Sequence, residues 1–154
     1  MNYLLVSPNF PTSQENFAKK LVEKGVKVLG IGSESYDNLS DDLKNALTEY
    51  YRVNDLENYE EVLRGVAFLI YKHGVIDRVE SNNEYWLTLD SLIREQFNIP
   101  GVKPKNLDFT KYKSRMKESF IKAKVPVAKG QAVKTIKELE KVIKDIKLPV
   151  IAKP

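Results

Sequence analysis

The chain has 154 residues, 42% of them hydrophobic and 30% charged, and its formal net charge of +4 is that of an ordinary folded globular protein. The absence of cysteine excludes disulfides and thiolate metal sites, and a single histidine argues against a histidine-based zinc site. No apolar run approaches the ~20 residues of a membrane span and no signal peptide is recognisable, so we expect a cytoplasmic protein without membrane contact.

Strand and helix signals alternate through the first hundred residues. An apolar run at residues 3–6 predicts a buried strand, and Thr12 and Glu15 have the spacing of a capping box before a helix that Gly25 ends. A second strand is predicted at residues 26–31, which completes the β–α–β unit of parallel sheets. The further predictions are helices at 40–47, 55–65 and 85–93, and strands at 49–53, 66–71 and 98–102.

Polar segments after the predicted strands are candidates for ligand binding, because open parallel sheets bind ligands beyond the carboxyl ends of their strands. This rule selects Ser7 and Asn9, the segment after Tyr71, and the polar residues Glu80 and Asn82 as substrate-side candidates. Capping of a helix is the simpler role for the serine and asparagines near position 82. The glycine fingerprints of a dinucleotide site and of a P-loop are both missing at the required places, so neither site is expected.

The charge is distributed unevenly along the chain. Residues 1–100 carry 10 Lys and Arg against 16 Asp and Glu, a net charge of −6, whereas residues 101–154 carry 15 against 5, a net charge of +10. The change at Gly101 predicts a domain boundary, with units at residues 1–103 and 104–154. Lysines on the solvated faces of helices account for most of the basic excess.

The basic part predicts helix, strand, helix and strand. Asp108 begins a helix, residues 125–133 form a strand, and Thr135 and Glu138 make a capping box before a strongly amphipathic helix to residue 146. The final run at residues 150–152 is of strand type and carries Lys153 at its end. A strand of this kind needs neighbours for its backbone hydrogen bonds, so we expect the chain to be a fragment of a longer protein.

Three of these segments together resemble the ATP-grasp superfamily, in the style of carbamoyl-phosphate synthase large subunits and biotin carboxylases. They are a lysine that opens a helix in residues 113–117, a V-P-V-A-K-G stretch in 123–130, and P-V-I-A-K in 148–154. Residues 1–100 resemble the pre-ATP-grasp domain of these enzymes, and Glu80-Ser81-Asn82 resembles their S-E-N segment in a different order. Lys124 departs from the pattern, since the family has a glycine there.

The resemblance implies a Rossmann-like parallel sheet followed by a partial α+β ATP-grasp subdomain. It also implies that Lys113 and Lys153 contact the phosphates of ATP, and that ATP and magnesium are the cofactors. The implied reaction activates a carboxylate as an acyl phosphate, which an amine or similar nucleophile attacks. The glycine-rich loop and the metal carboxylates of the family lie beyond this sequence, so we expect no catalytic or metal-ligating residues here and a chain that is inactive alone.

Two other classes of function remain open at this point. The chain could be a stand-alone Rossmann-like module that binds a small ligand at the carboxyl edge of its sheet, or an interaction protein whose basic half docks on an acidic partner or nucleic acid. The sequence contains no known nucleic-acid-binding motif, which argues against the interaction protein, so we expect no nucleic-acid partner. A small-molecule substrate is expected, together with a homodimer formed through the exposed edge of the last strand.

Overall fold

Four parallel strands form the centre of the first structural unit in this computed structural model, which describes residues 1–146 and 149–152. The chain divides into two units, Met1–Leu107 and Asp108–Pro154. The sheet has the order β3-β2-β1-β4, so the predicted parallel α/β class is confirmed. The strands are β1 Asn2–Val6, β2 Lys27–Gly32, β3 Glu49–Arg52 and β4 Arg78–Glu80.

Helices connect the strands and cover both faces of the sheet. In the first unit they are α1 Gln14–Glu23, α2 Asp41–Ala46, α3 Tyr59–His73 and α4 Leu87–Gln96, with 3₁₀ helices at Tyr36–Asn38 and Glu84–Trp86. Helix α5 Pro104–Lys111 crosses the boundary between the units, and α6 Lys113–Lys122 and α7 Ile136–Ile146 belong to the second unit. Leu5 and Val28 pack with α1 and α2 on one face, and Leu4 and Leu29 pack with α3 and α4 on the other. The strands are therefore buried on both faces, as in other parallel sheets.

The predicted strand at residues 66–71 is wrong, because this run is the second half of the long helix α3. Asn58, rather than Asp55, caps this helix by accepting a hydrogen bond from the Glu61 amide, 3.3 Å away. Gly65 does not end it: a Cβ built there would lie 2.6 Å from the Tyr51 ring, so the glycine permits close packing on β3. The buried positions of α3 recur at helical spacing: Val62, Gly65, Val66 and Leu69.

The fourth strand lies instead at β4, in a polar stretch for which no strand was predicted. Only Val79 at its centre is fully buried, and its short length hides the alternation that would mark a strand. The predicted strand at residues 98–102 is also wrong, since this segment runs past the sheet without joining it.

The first capping box is wrong and the second is confirmed. Helix α1 is preceded by Ser13, whose side chain makes no cap hydrogen bond, and Glu15 instead accepts a hydrogen bond from the Ser40 hydroxyl at 2.7 Å. In the second unit, the Thr135 hydroxyl accepts from the Glu138 amide at 3.2 Å. The Glu138 carboxylate accepts in return from the Thr135 amide at 3.3 Å.

The described part of the second unit contains helices α6 and α7 but no strand. The strand predicted at residues 125–133 is wrong, because this segment is irregular. Residues 149–152 also have no strand pairing, and Lys153, expected at the end of the last strand, lies outside the described residues.

Candidate functional site

The connections of the sheet change direction between β1 and β4. The chain moves outward from β1 through β2 to β3, and then returns to place β4 on the other side of β1. In open α/β sheets, such a switch point leaves a crevice at the carboxyl ends of the two central strands, where ligands bind. Here the crevice is bordered by Ser7 after β1 and by the segment of residues 81–83 after β4.

Both borders of this crevice contain a residue in the left-handed backbone region. Ser7 has φ of 53° and Asn82 has φ of 51°. This conformation is uncommon for residues other than glycine and clusters at ligand sites, where the surrounding structure holds it in place. At Ser7, the amide donates to the Ile31 carbonyl at 2.8 Å, and the side chain is almost fully buried.

Ser81 is held on two sides by buried polar side chains. The Asp90 carboxylate of α4 accepts hydrogen bonds from the Ser81 hydroxyl at 2.7 Å and from its amide at 3.1 Å. The Gln14 amide of α1 donates to the Ser81 carbonyl at 2.8 Å. Because Gln14 is the first residue of the helix that follows the Ser7 loop, this cluster links the two borders of the crevice.

Burial raises the pKa of Asp90 from 3.8 to about 6, against the hydrogen bonds from Ser81 and the charge of Arg94. The side chain is fully buried, and its second oxygen has no hydrogen-bond partner among the described residues. Ionisation of this carboxylate therefore opposes folding, since the folded state holds a proton that the unfolded state releases at lower pH.

We expect the Asp90→Asn variant to remove this pH dependence. In the wild type, the contribution of Asp90 to the free energy of unfolding should fall by about 2 kcal/mol as the pH rises from 4 to 7, because the folded pKa exceeds the unfolded one. Asparagine keeps an oxygen that accepts from Ser81 but carries no charge. Urea unfolding of both proteins across this range measures the difference, and parallel pH profiles would contradict the assignment.

Glu80, the last residue of β4, is engaged by a second buried side chain. Its carboxylate lies 2.9 Å from a guanidinium nitrogen of Arg94, which is 4% exposed. The same nitrogen donates to the Val79 carbonyl at 2.6 Å, and the other terminal nitrogen donates to the Val102 carbonyl at 3.3 Å. Glu80 therefore lies at the predicted edge, but one side of its carboxylate is already paired with Arg94.

A pocket of about 220 Å³ lies on the side of β1 away from β4, between the loops that follow β1 and β2. Asn9 lines it, together with the carboxylates of Glu15 and Glu34. Hydrogen bonds from the Asn38 side chain and the Ser35 amide hold the pKa of Glu34 below its usual value, so the pocket carries negative charge at neutral pH. Such a lining suits an amine or a hydroxyl-bearing group.

The segment after Tyr71 lies at the amino ends of the strands, opposite the carboxyl ends where ligands bind, so its assignment to the binding edge is wrong. It follows a helix rather than a strand, and Asn2, at the start of β1, donates to the carbonyls of His73 and Val75 at 2.9 Å each. The imidazole of His73 lies 2.6 Å from the carboxylate of Glu49, at the start of β3. This pair joins the end of α3 to the amino end of the sheet.

Lys113 begins helix α6 in the second unit. The first turn of this helix contains Lys113 and Arg115 and no acidic residue, and the capping position, Tyr112, makes no side-chain hydrogen bond. Positive side chains are unfavourable beside the positive end of a helix dipole unless an anion is bound there. Lys153, the second nucleotide-binding candidate, lies outside the described residues.

The sequence analysis missed Gln14, Asp90 and Arg94. The available signal was the spacing of Asp90 and Arg94, which flank the core residue Ile93 and lie one turn apart on the same helix. A charged pair at such a position is buried only when it has specific partners. The carbonyl and hydroxyl partners come from β4 and its loop, and this strand was not predicted.

Solved structures with this fold are numerous, with 15 chains matching. The biotin carboxylase domain of 2-oxoglutarate carboxylase from Hydrogenobacter thermophilus, solved as a dimer with MgADP, ADP and bicarbonate, is 20% identical at a TM-score of 0.68. The biotin carboxylase subunit of a pyruvate carboxylase is 22% identical at 0.61, and an L-amino acid ligase from Bacillus licheniformis is 16% identical at 0.56. The chain shares the fold of the N-terminal region of biotin carboxylase domains.

The likeness covers 94–96% of the chain but only 33–42% of those three solved chains. No family model matches the sequence, and no curated protein matches it. The likeness therefore establishes the fold, and it extends over the first unit and the described part of the second.

Among the described residues, no group of three or more acidic or histidine side chains could hold a metal ion. Lys113 and Arg115 give the first turn of α6 a positive charge, and the described part of the second unit contains no strand. Within the same residues, no helix is long and apolar enough to cross a bilayer.

Proposed function

We propose that this chain is the N-terminal part of an ATP-dependent ligase of the ATP-grasp type, with a pre-ATP-grasp domain at residues 1–103 and the start of the ATP-grasp domain at 104–154. The complete enzyme, similar to carbamoyl-phosphate synthase, would activate a carboxylate as an acyl phosphate for attack by an amine. The supporting observation is the crevice at the switch point, bordered by left-handed Ser7 and Asn82 in a fold shared with ATP-grasp enzymes.

Each part of the chain has a distinct role in this proposal. The first unit binds the substrate at the carboxyl edge of its sheet through Ser7, Asn9 and Asn82, and the free face of Glu80 completes the edge. The anionic pocket beside Asn9 accommodates the amine. In the second unit, Lys113 binds a phosphate oxygen of ATP, since a fixed ammonium beside helix amides neutralises polyphosphate. ATP supplies the phosphoryl group, and magnesium screens its charge.

The test is ADP release by the product of the complete reading frame, supplied with MgATP and pairs of small carboxylates and amines. Release that requires both a carboxylate and an amine supports the proposal. The 154-residue chain alone should release none, and turnover by it would contradict its role as a part. A reading frame that ends at Pro154, with a ligand bound at the sheet edge, would favour a stand-alone binding module instead.

Lys113→Ala in the complete protein is expected to raise the KM for ATP at least about tenfold, because a charge-assisted hydrogen bond to phosphate is lost. Lys122→Ala is the matched control, since Lys122 is at the other end of the same helix. It should leave the KM unchanged. Equal effects of the two substitutions would show that only the overall positive charge of α6 matters.

A further inference from the structure

The hydroxyl of Ser81 has two hydrogen-bond acceptors within reach but only one proton to donate. The Asp90 carboxylate lies 2.7 Å from Ser81 Oγ, and the Asn83 carbonyl oxygen lies 3.1 Å from it. The Asn83 amide also donates to the same Oγ at 3.3 Å. The direction of this hydrogen-bonded chain is therefore set by the acceptor that takes the proton of Ser81.

Asn82 lies between the two residues that this chain joins. The Ser81 backbone is fastened on both sides, since its amide donates to Asp90 at 3.1 Å and its carbonyl accepts from Gln14 at 2.8 Å. Beyond Asn82, the Asn83 side chain caps the 3₁₀ helix that follows. Asn82 itself is exposed with φ of 51°, and its side chain has no hydrogen-bond partner among the described residues. Its neighbours therefore hold its backbone, and its side-chain amide remains available to a ligand.

We propose that Asp90 is a positioning residue for the substrate: its ionised carboxylate takes the Ser81 proton and thereby fixes the left-handed Asn82 at the crevice. The inference rests on the proposed function, which places Asn82 against the substrate. An ionised acceptor makes hydrogen bonds about twice as strong as a neutral one, so the carboxylate wins the proton from the Asn83 carbonyl. Ser81 Oγ then accepts from the Asn83 amide, and both neighbours of Asn82 are held in one arrangement.

A protonated Asp90 does not select one arrangement. The neutral carboxyl can donate to Ser81 Oγ, which then donates to the Asn83 carbonyl, or it can accept from Ser81 as before. Because both arrangements use neutral acceptors, they are similar in energy, and the peptide bonds on either side of Asn82 are less ordered. Burial raises the pKa of Asp90 to about 6, so the change from two arrangements to one occurs just below neutral pH.

The charged and titratable groups around Asp90 are Arg94 on α4, Glu80 on β4 and Tyr3 on β1. Burial raises the pKa of the Tyr3 phenol to about 12, and the Arg94 guanidinium stays charged, so neither changes its charge over this pH range. The Ser81 hydrogen bonds lower the pKa of Asp90, so ionisation must strengthen them in return. As the pH rises through the pKa of Asp90, the free energy of unfolding therefore falls while the hold on the substrate edge tightens.

An NMR titration of the ¹⁵N-labelled 154-residue chain tests the positioning without any substrate. The Ser81 and Asn82 amide resonances should move together with a midpoint at about pH 6, and the order parameter of the Asn82 amide should rise above that midpoint. Asp90→Asn should abolish both changes. Glu95→Gln is the matched control, since Glu95 is exposed on the same helix, and should alter neither. An Asn82 amide whose order does not depend on pH, or one that still titrates in Asp90→Asn, would overturn the proposal.

Kinetics of the complete protein measure the consequence for the substrate. The KM for the carboxylate or amine should fall at least about threefold as the pH rises through the same midpoint, and Asp90→Asn should keep the higher KM at every pH without altering kcat. A purely structural Asp90 predicts the opposite trend, because its ionisation weakens the fold. Asn82→Gly keeps the left-handed backbone but removes the amide, so it should raise the KM and leave Asp90→Asn without further effect.

The two measurements separate this proposal from the proposed function. An effect of Asp90→Asn on the KM that persists in the Asn82→Gly background would show that Asp90 does not act through Asn82, and would overturn the positioning role. ADP release without the NMR titration would overturn that role and leave the ligase. The titration without ADP release from any substrate pair would overturn the ligase and leave the control of Asn82 by Asp90.

Discussion

Replacement of Arg94 by alanine is expected to lower the free energy of unfolding of the first unit by about 2–3 kcal/mol, because the buried Val79 carbonyl loses a charged hydrogen-bond donor and the partly exposed Glu80 carboxylate loses its partner. The guanidinium bonds to the Val79 carbonyl, the Glu80 carboxylate and the Val102 carbonyl. Its loss leaves the outer edge of β4 without this donor and removes the positive charge that opposes the raised pKa of Asp90.

Arg94 also holds the segment at residues 98–102, which was predicted as a strand, in its place beside the sheet. The Arg94 backbone carbonyl accepts hydrogen bonds from the Ile99 amide at 2.9 Å and from the Lys103 side chain. Gly101 lies directly against the arginine, because a Cβ built on it would be 2.7 Å from the Arg94 Cδ. One side chain therefore fastens this segment to β4 and covers part of an edge that would otherwise be open.

Urea unfolding followed by the fluorescence of Trp86, the sole tryptophan, measures the effect in the first unit, because Trp86 packs against its core. Arg78→Ala is the control on the same strand, since Arg78 is exposed and donates to the neighbouring Asp77 carbonyl. It should cost less than about 0.5 kcal/mol. Arg94→Lys should recover only part of the loss, because an ammonium cannot span three acceptors in different directions.

The elements that were predicted correctly are those in which the local sequence pattern matches the burial seen in the structure. Strands β1 and β2 were found because they are buried on both faces and therefore appear as uninterrupted apolar runs. The capping box at Thr135 was found from short-range chemistry that tertiary contacts do not alter.

The errors arose where a distant contact decides the structure. Residues 66–71 have the composition of a buried strand, but the close fit of Gly65 against Tyr51 and Ile31 sets the helix on the sheet. β4 has a polar sequence because it is a short edge strand, whose partners are Arg94 and β1. Because β4 pairs with β1, Glu80 and Asn82 lie at the same edge of the sheet as Ser7. The sequence identified these candidate residues, but it did not predict the strand that brings them together.

Substitution of Gly65 should destabilise the first unit strongly, against the trend of helix propensity. Alanine in place of glycine inside a helix normally stabilises it by about 1 kcal/mol. At Gly65, however, the added Cβ would lie 2.6 Å from the Tyr51 ring and 2.9 Å from the end of Ile31. We expect Gly65→Ala to lower the free energy of unfolding by about 1–3 kcal/mol, and Gly65→Val by more, because α3 must move off β3.

A double-mutant cycle with Tyr51→Ala identifies the cause. If the ring of Tyr51 is the obstacle, its removal should make Gly65→Ala nearly neutral or stabilising, with a coupling energy of at least about 1 kcal/mol. Ala67→Gly, on the exposed face of the same helix, measures the effect of helix propensity alone and should lower the free energy of unfolding by about 1 kcal/mol. Additive effects at Gly65 and Tyr51 would show that the glycine is required for another reason. Strong coupling would instead establish that close contact with the Tyr51 ring is what requires glycine at this position of α3.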